Sequence, residues 1–192
     1  MIAQCVPCVC VAMHLCSNAY MHQLHNAFLE STKATEWNLE GTLEALRSFF
    51  KDCPARREDF VKCTGSSIFP LKFCSTQLVD NVRVVKRAIE VWPNVRVYVK
   101  AVQEKKYPNP KNKSFGTIKD GFRDPLVIAK LQFYLCVANI INPFLVKYQT
   151  EDPVLPFLAS DLEAVMCSLM EKFVIKSELT TAKSEKKLCS LT

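Results

Sequence analysis

Residues 77–92, QLVDNVRVVKRAIEVW, contain the most regular hydrophobic pattern in this sequence. Apolar side chains recur at intervals of three or four residues, and charged side chains fall between them. The apolar set is Leu78, Val82, Val85, Ile89 and Trp92. The charged set is Arg83, Lys86, Arg87 and Glu90. This spacing predicts an amphipathic helix that buries one face and presents the other to solvent.

Similar patterns predict helices on both sides of this one. Upstream, we expect a helix over residues 13–29 and a second that begins near Leu39 and ends near Phe50. Pro54 suits the first turn of another short helix, where a missing amide hydrogen costs nothing. Downstream, apolar residues at helical spacing predict a last long helix, and they are Leu158, Leu162, Val165, Leu169 and Phe173. The predicted fold class is mainly α, with at most one short strand near residues 5–11.

Prolines and polar stretches predict where the helices end. Pro93 is expected to end the first helix, with a further helix from Asn94 to about Lys106. Pro143 is expected to stop or kink an apolar helix that begins at Pro125. Loops are expected at residues 31–38, 64–70, 105–114 and 149–156. The predicted organisation is a helical region over 1–150, a C-terminal helix over 151–182 and a flexible tail over 183–192.

The composition excludes several classes of protein. Only four of the 192 residues are glycine, so there is no glycine-rich loop to hold a phosphate and little sign of an all-β fold. The ten cysteines follow no spacing of a secreted disulfide framework. Reduced thiols and an intracellular location, nuclear or cytoplasmic, are therefore expected.

Two apolar stretches resemble targeting or membrane segments without meeting the criteria for them. Residues 1–16 are apolar, but no Lys or Arg precedes Lys33, so the basic start of a signal peptide is missing. Residues 125–146 are interrupted by Lys130 and Asn139, which fits a buried core helix better than a membrane span. No membrane contact is expected.

A thiol and two hydroxyls lie side by side at Cys74, Ser75 and Thr76. A nucleophilic cysteine needs a base within reach, and all three histidines lie within residues 14–25. We therefore interpret Ser75 or Thr76 as the N-cap of the following helix. An enzyme that uses Cys74 as its nucleophile is the alternative.

Candidate metal ligands and acid–base pairs give no stronger signal. A structural zinc site usually has two pairs of ligands separated by a longer loop. The cysteines and the histidine near the N-terminus are instead crowded into one stretch, and they are Cys5, Cys8, Cys10, His14 and Cys16. The carboxylates without a spaced partner, which we interpret as caps or solvated charges, include Glu151, Asp152, Asp161 and Glu163. No metal and no cofactor is expected.

Basic residues are the remaining functional signal. They lie on the first helix, on the helix after it and in the loop that follows, where Tyr107 and Phe115 are interleaved with lysines. The set is Arg83, Lys86, Arg87, Arg96, Lys100, Lys105, Lys106, Lys111 and Lys113. Such a surface could meet a phosphate backbone through charge alone. A solvated basic face is the alternative.

Residues 8–20, CVCVAMHLCSNAY, and residues 69–95, FPLKFCSTQLVDNVRVVKRAIEVWPNV, together resemble two segments of the hAT (hobo/Activator/Tam3) superfamily of DNA transposases. The first is similar to a Cys-x-x-His segment that leads into a helix. Cys8 and His14 match it, whereas Val11 stands where the motif histidine is expected.

The second segment is similar to the Ser/Thr-Arg-Trp segment of the superfamily. Thr76 matches, but Gln77 and Leu78 replace the arginine and the tryptophan. Leu78 has no aromatic face on which a base could stack. Between the two segments, residues 43–60 resemble the helix that connects them in the family.

In that superfamily an RNase H-like core carries two aspartates and a glutamate that hold metal ions, and an all-helical insertion interrupts the core. The resemblance implies that this chain is mainly that insertion and that the two aspartates would lie upstream of Met1. Two-metal phosphoryl chemistry needs all of those carboxylates. The expected function is therefore a catalytically inactive, transposase-derived helical domain, not an enzyme, with weak non-specific DNA contact. A protein-interaction or self-association module is the alternative.

Overall fold

The structure is a computed structural model that describes residues 21–74, 78–149 and 155–174. Those ranges are mainly helical and contain no strand, which confirms the mainly α prediction. The helices are α1, residues 21–34; α2, Leu39–Phe50; α3, Pro54–Thr64; α4, Leu78–Gln103; α5, Lys113–Arg123; α6, Val127–Lys147; and α7, Leu158–Phe173. The strand predicted near residues 5–11 lies outside the described residues.

The chain forms two compact units. One consists of Asn26–Ala138, and the other of Asn139–Thr192 together with Met1–His25. The division predicted at residues 150 and 182 stays a prediction.

An aromatic cluster forms the core of the unit of residues 26–138. The ring of Phe50, which is fully buried, lies 4.9 Å from the rings of Phe49 and Phe60, 5.5 Å from that of Phe69 and 6.4 Å from that of Tyr98. These residues come from α2, α3, the loop after α3 and α4. The three helices therefore share one core, as the spacing of apolar residues in α2 predicts.

Helix α4 is longer than the sequence predicts. Pro93 lies inside one continuous helix rather than at its end, so the prediction that Pro93 separates two helices is wrong. Proline removes one helical hydrogen bond and costs helix stability. Here the buried stripe continues in phase beyond the proline, through Val95, Tyr98 and Val102. Burial of those side chains outweighs the local cost, while Pro93 itself is exposed.

Helix α6 also contains a proline. Pro143 lies inside it, so the helix does not stop there, in contrast to the first of the two alternatives predicted. By length and composition α6 could cross a bilayer, with a mean hydropathy of 1.3, and 39% of that apolar window is buried. A core helix passes the same test, and buried Val127, Leu131 and Tyr134 recur along α6 at the spacing of a packed helix face.

Two boundaries differ from the sequence prediction. Helix α1 continues through residues 31–34, which were expected to begin a polar link, and Lys113 and Ser114 belong to α5 rather than to a loop. The side chain of Asn112 caps α5, because its Oδ1 accepts a hydrogen bond from the amide of Phe115 at 2.9 Å. Capping favours helix over loop at this point.

In the unit that contains Asn139–Thr192, one carboxylate links the end of α6 to α7. The hydroxyl of Tyr148 donates a hydrogen bond to Oδ2 of Asp161 at 2.8 Å, and the ammonium of Lys147 donates to the same atom. Lys147, followed by Tyr148, holds the pKa of Asp161 below its usual value, while burial raises the pKa of Tyr148 to about 12. Asp161 thus makes a structural contact and is not the helix cap or solvated charge interpreted from the sequence.

Candidate functional site

The solvent face of α4 carries most of the predicted basic residues. Arg83, Lys86, Arg96 and Lys100 are exposed, and Arg87 is half-buried. They project outward because the opposite side of α4 supplies the buried stripe that packs on α2 and α3. The sequence therefore predicted the orientation of this face correctly.

Two of the nine predicted basic residues are engaged within the protein. Nε of Arg87 lies 3.0 Å from a carboxylate oxygen of Glu90, and Nζ of Lys106 lies 2.8 Å from one of Glu104. The hydrogen bond from Lys106 to Glu104 raises the pKa of Lys106. Within the described ranges, the other seven have no carboxylate oxygen within 4.0 Å, and they are Arg83, Lys86, Arg96, Lys100, Lys105, Lys111 and Lys113. Those seven charges are directed to solvent.

The two aromatic residues among the loop lysines belong to the core. Tyr107 is half-buried, and its ring lies 5.5 Å from that of Tyr98. Phe115 is buried, and its ring stacks on that of Phe49 at 5.8 Å. Both rings hold the loop of residues 104–112 against the helices rather than offering a free face for a base.

Charge is distributed unevenly along the chain. Residues 78–113 contain nine Lys or Arg and three Asp or Glu, which gives this segment a formal charge of +6. The whole chain also has a formal charge of +6, because its other residues contain sixteen of each sign. The entire net charge is therefore located in α4, the loop after it and the first residue of α5.

Most residues of the transposase-like motifs lie outside the part of the chain that the structure describes. Cys8, Val11, His14, Thr76 and Gln77 lie outside the described residues, as does the cysteine and histidine cluster near the N-terminus. Leu78 is the first residue of α4.

Cys74 is fixed through its backbone. Its amide donates to Oδ1 of Asn81 at 3.0 Å, and its carbonyl accepts from Nδ2 of Asn81 at 2.6 Å. Its side chain is half-buried, and no group of three or more His, Cys, Asp or Glu residues within the described part of the chain could hold a metal ion. The proposed capping by Ser75 or Thr76 lies outside the described residues.

A shallow apolar groove of about 550 Å³ lies beside the basic face. Its lining consists of Ile89, Trp92, Pro93, Arg96, Val97, Lys100 and Ile128. Sequence reasoning missed this groove, because it treated Pro93 only as a helix end. The available signal was the pair Pro93 and Val97, two apolar residues one turn apart on an otherwise charged face.

A scan of protein-family models and searches of curated proteins and solved structures found no match to this chain.

Proposed function

We propose that this chain is a catalytically inactive helical domain derived from a hAT-type transposase, and that it contacts DNA through backbone charge. The order of the two motif-like segments supports the family assignment, and the mainly helical chain is compatible with the all-helical insertion of such an enzyme. The observation that carries the DNA contact is the location of the whole net charge in residues 78–113.

The geometry of α4 suits a phosphate backbone. Arg83 and Lys100 are separated by about 25 Å along the helix, given a rise of about 1.5 Å per residue. Several phosphates of a duplex lie within that distance, since B-DNA carries one charge per roughly 1.7 Å of axis. Long, solvent-directed Lys and Arg side chains can adjust to those phosphates without a fixed register.

Binding of this kind reads no base sequence. The proposed surface consists of flexible cations, and Tyr107 and Phe115 are packed in the core. Contacts to phosphates position a protein on DNA, whereas contacts to base edges specify the sequence. The proposed contact is therefore independent of sequence and strongly dependent on salt.

The proposed lack of catalysis rests on the family resemblance, in which Gln77 and Leu78 replace the arginine and tryptophan of the motif. These features support a domain that binds DNA without cutting it.

The test is fluorescence anisotropy of two unrelated DNA duplexes with the full chain at several salt concentrations. We expect equal affinity for both duplexes and a linear decrease of log K with log salt. Replacing Lys105→Gln with Lys111→Gln should reduce the salt slope by about 2. Lys33→Gln with Lys51→Gln removes two exposed lysines, one on α1 and one just after α2, so this control should leave the slope unchanged.

DNA affinity that does not depend on salt would refute the charge-based contact. An equal decrease of the salt slope in the control variant would refute it as well. Strand scission by the purified chain in Mg²⁺ or Mn²⁺ would refute the proposed lack of catalysis. The two outcomes are independent, because a protein can bind DNA with or without cutting it.

A further inference from the structure

The groove on α4 has an apolar floor where the rest of the helix surface is charged. Val97 is 52% exposed, Pro93 is exposed on the preceding turn, and Trp92 and Ile128 form the inner wall. An exposed valine and proline that line a concave surface leave apolar area in contact with water. Covering such area is favourable, because apolar surface is removed from water.

Two cations flank that floor. Arg96 and Lys100 lie one helical turn apart, both are exposed, and neither has a carboxylate oxygen within 4.0 Å in the described ranges. Glu104, the acidic residue one turn beyond Lys100, is paired with Lys106 at 2.8 Å. The rim is therefore positive and open to an external carboxylate.

We infer that this groove binds an acidic amphipathic helix of another protein. Its apolar side chains would cover Pro93 and Val97, and carboxylates along one edge would pair with Arg96 and Lys100. A helix laid in an apolar groove is a common mode of peptide recognition, with anchors spaced three and four residues apart. The positive rim selects a negatively charged helix over a neutral or basic one.

This occupant fits the groove better than DNA does. A phosphate backbone would satisfy Arg96 and Lys100 but would leave the apolar floor beside charged oxygen atoms. Arg83 and Lys86, nearer the start of α4, do not line the groove and serve only the DNA surface. Arg96 and Lys100 belong to both proposed surfaces, whereas Pro93 and Val97 line only the groove. Substitution of Val97 therefore tests the peptide site apart from the proposed DNA contact.

The experiment uses the full chain and a labelled synthetic peptide of about 18 residues, with leucines three and four apart on one face and glutamates beside them. A second peptide has the same composition in scrambled order. We expect the first peptide to bind and the scrambled one to bind at least about tenfold more weakly. Val97→Gln, which removes apolar area without changing charge, and the pair Arg96→Gln with Lys100→Gln should each weaken binding about tenfold.

The matched control, Arg83→Gln with Lys86→Gln, also removes two cations from α4 but should change peptide affinity less than about twofold. Circular dichroism of each variant checks that the helices are retained. Equal binding of both peptides, or no effect of Val97→Gln, would overturn the inference, because charge alone would then account for binding.

Two further outcomes would assign the groove to another occupant and overturn the inference. If Val97→Gln weakens binding of a DNA duplex as strongly as it weakens peptide binding, the groove belongs to the nucleic-acid surface. If sedimentation shows a dimer that Val97→Gln dissociates, the occupant is a second copy of this chain. A failure of salt-dependent DNA binding alone would leave the peptide site unaffected.

Discussion

At the scale of single residues, Asn81 shows how one buried polar side chain can position a neighbouring segment. It is fully buried in the first turns of α4, and both polar atoms of its side chain bond to the backbone of Cys74. A buried amide group that is satisfied in this way holds the incoming chain at a fixed distance from the helix. The stretch before α4 is thus organised by Asn81 rather than by chemistry at Cys74.

Replacing Asn81→Ala should lower the free energy of unfolding by about 2–3 kcal/mol, because the amide and carbonyl of Cys74 lose their partners. Asn81→Asp should also destabilise, since a carboxylate can accept from the Cys74 amide but cannot donate to its carbonyl. Urea denaturation followed by circular dichroism measures both. Asn109→Ala, in an exposed loop, is the control and should change stability by less than about 0.5 kcal/mol. A loss in Asn81→Ala no greater than in the control would contradict this role.

At the scale of elements, α4 marks the limit of what periodicity predicts. Its charged face and the burial of Val82, Val85 and Trp92 follow directly from spacing and are found as predicted, whereas Ile89, predicted for the same stripe, is only half-buried. Its length is not predictable from local signals, because the effect of Pro93 depends on how much burial continues beyond it. That burial comes from partners on α2 and α3, which are distant in sequence.

Pro93→Ala should raise the free energy of unfolding by about 1–2 kcal/mol. The new amide can donate to the carbonyl of Ile89, and alanine favours helix far more than proline does. A more flexible unfolded chain offsets part of the gain. Pro108→Ala, in the loop after α4, only makes the unfolded chain more flexible and adds no helical hydrogen bond. It should therefore lower the free energy of unfolding slightly, by about 0.4–1 kcal/mol. Chemical denaturation of both variants tests the comparison, and a destabilised Pro93→Ala would mean that α4 depends on the proline geometry.

Helix α5 shows a second limit of local pattern. Its buried residues Phe115 and Ile118 are few, and it contains Gly116 and Gly121, which disfavour helix. Gly121 is explained only by the packed structure, where a Cβ at that position would lie 3.1 Å from the ring of Trp92. Glycine at this position leaves room for the Trp92 ring to pack closely against α5.

The basic face could be predicted from the sequence, whereas the apolar groove could not, because only the groove depends on contacts between helices. Exposed lysines and arginines follow from sequence, since charge and helical spacing place them on the solvent side. The groove does not, because Ile128 joins it from α6. The inward orientation of Tyr107 likewise depends on its contact with Tyr98. Properties of one helix face can be predicted, whereas concave surfaces require the tertiary arrangement.

At the scale of the whole molecule, the segregation of charge has an energetic consequence. Residues 78–113 carry +6 while the other residues sum to zero. Exposed like charges within a screening length of one another repel and lower the stability of the folded state. The Debye length falls from about 30 Å at 0.01 M salt to about 8 Å at 0.15 M, so salt should relieve that repulsion. A bound polyanion would relieve the same repulsion, which connects the fold to the proposed DNA contact.

We therefore expect the thermal unfolding midpoint to rise when NaCl increases from about 0.01 M to about 0.15 M. Arg83→Gln with Lys86→Gln should raise the midpoint at low salt and reduce the further rise on adding salt, because like-charge neighbours on a helix cost a few tenths of a kcal/mol. Lys51→Gln with Lys62→Gln removes the same charge but also breaks contacts to Asp52 and Glu58. This control should therefore not raise the thermal unfolding midpoint at low salt. A midpoint that falls with salt would show that attractive surface pairs outweigh the repulsion in residues 78–113, and the charge on α4 would then carry no cost for a ligand to relieve.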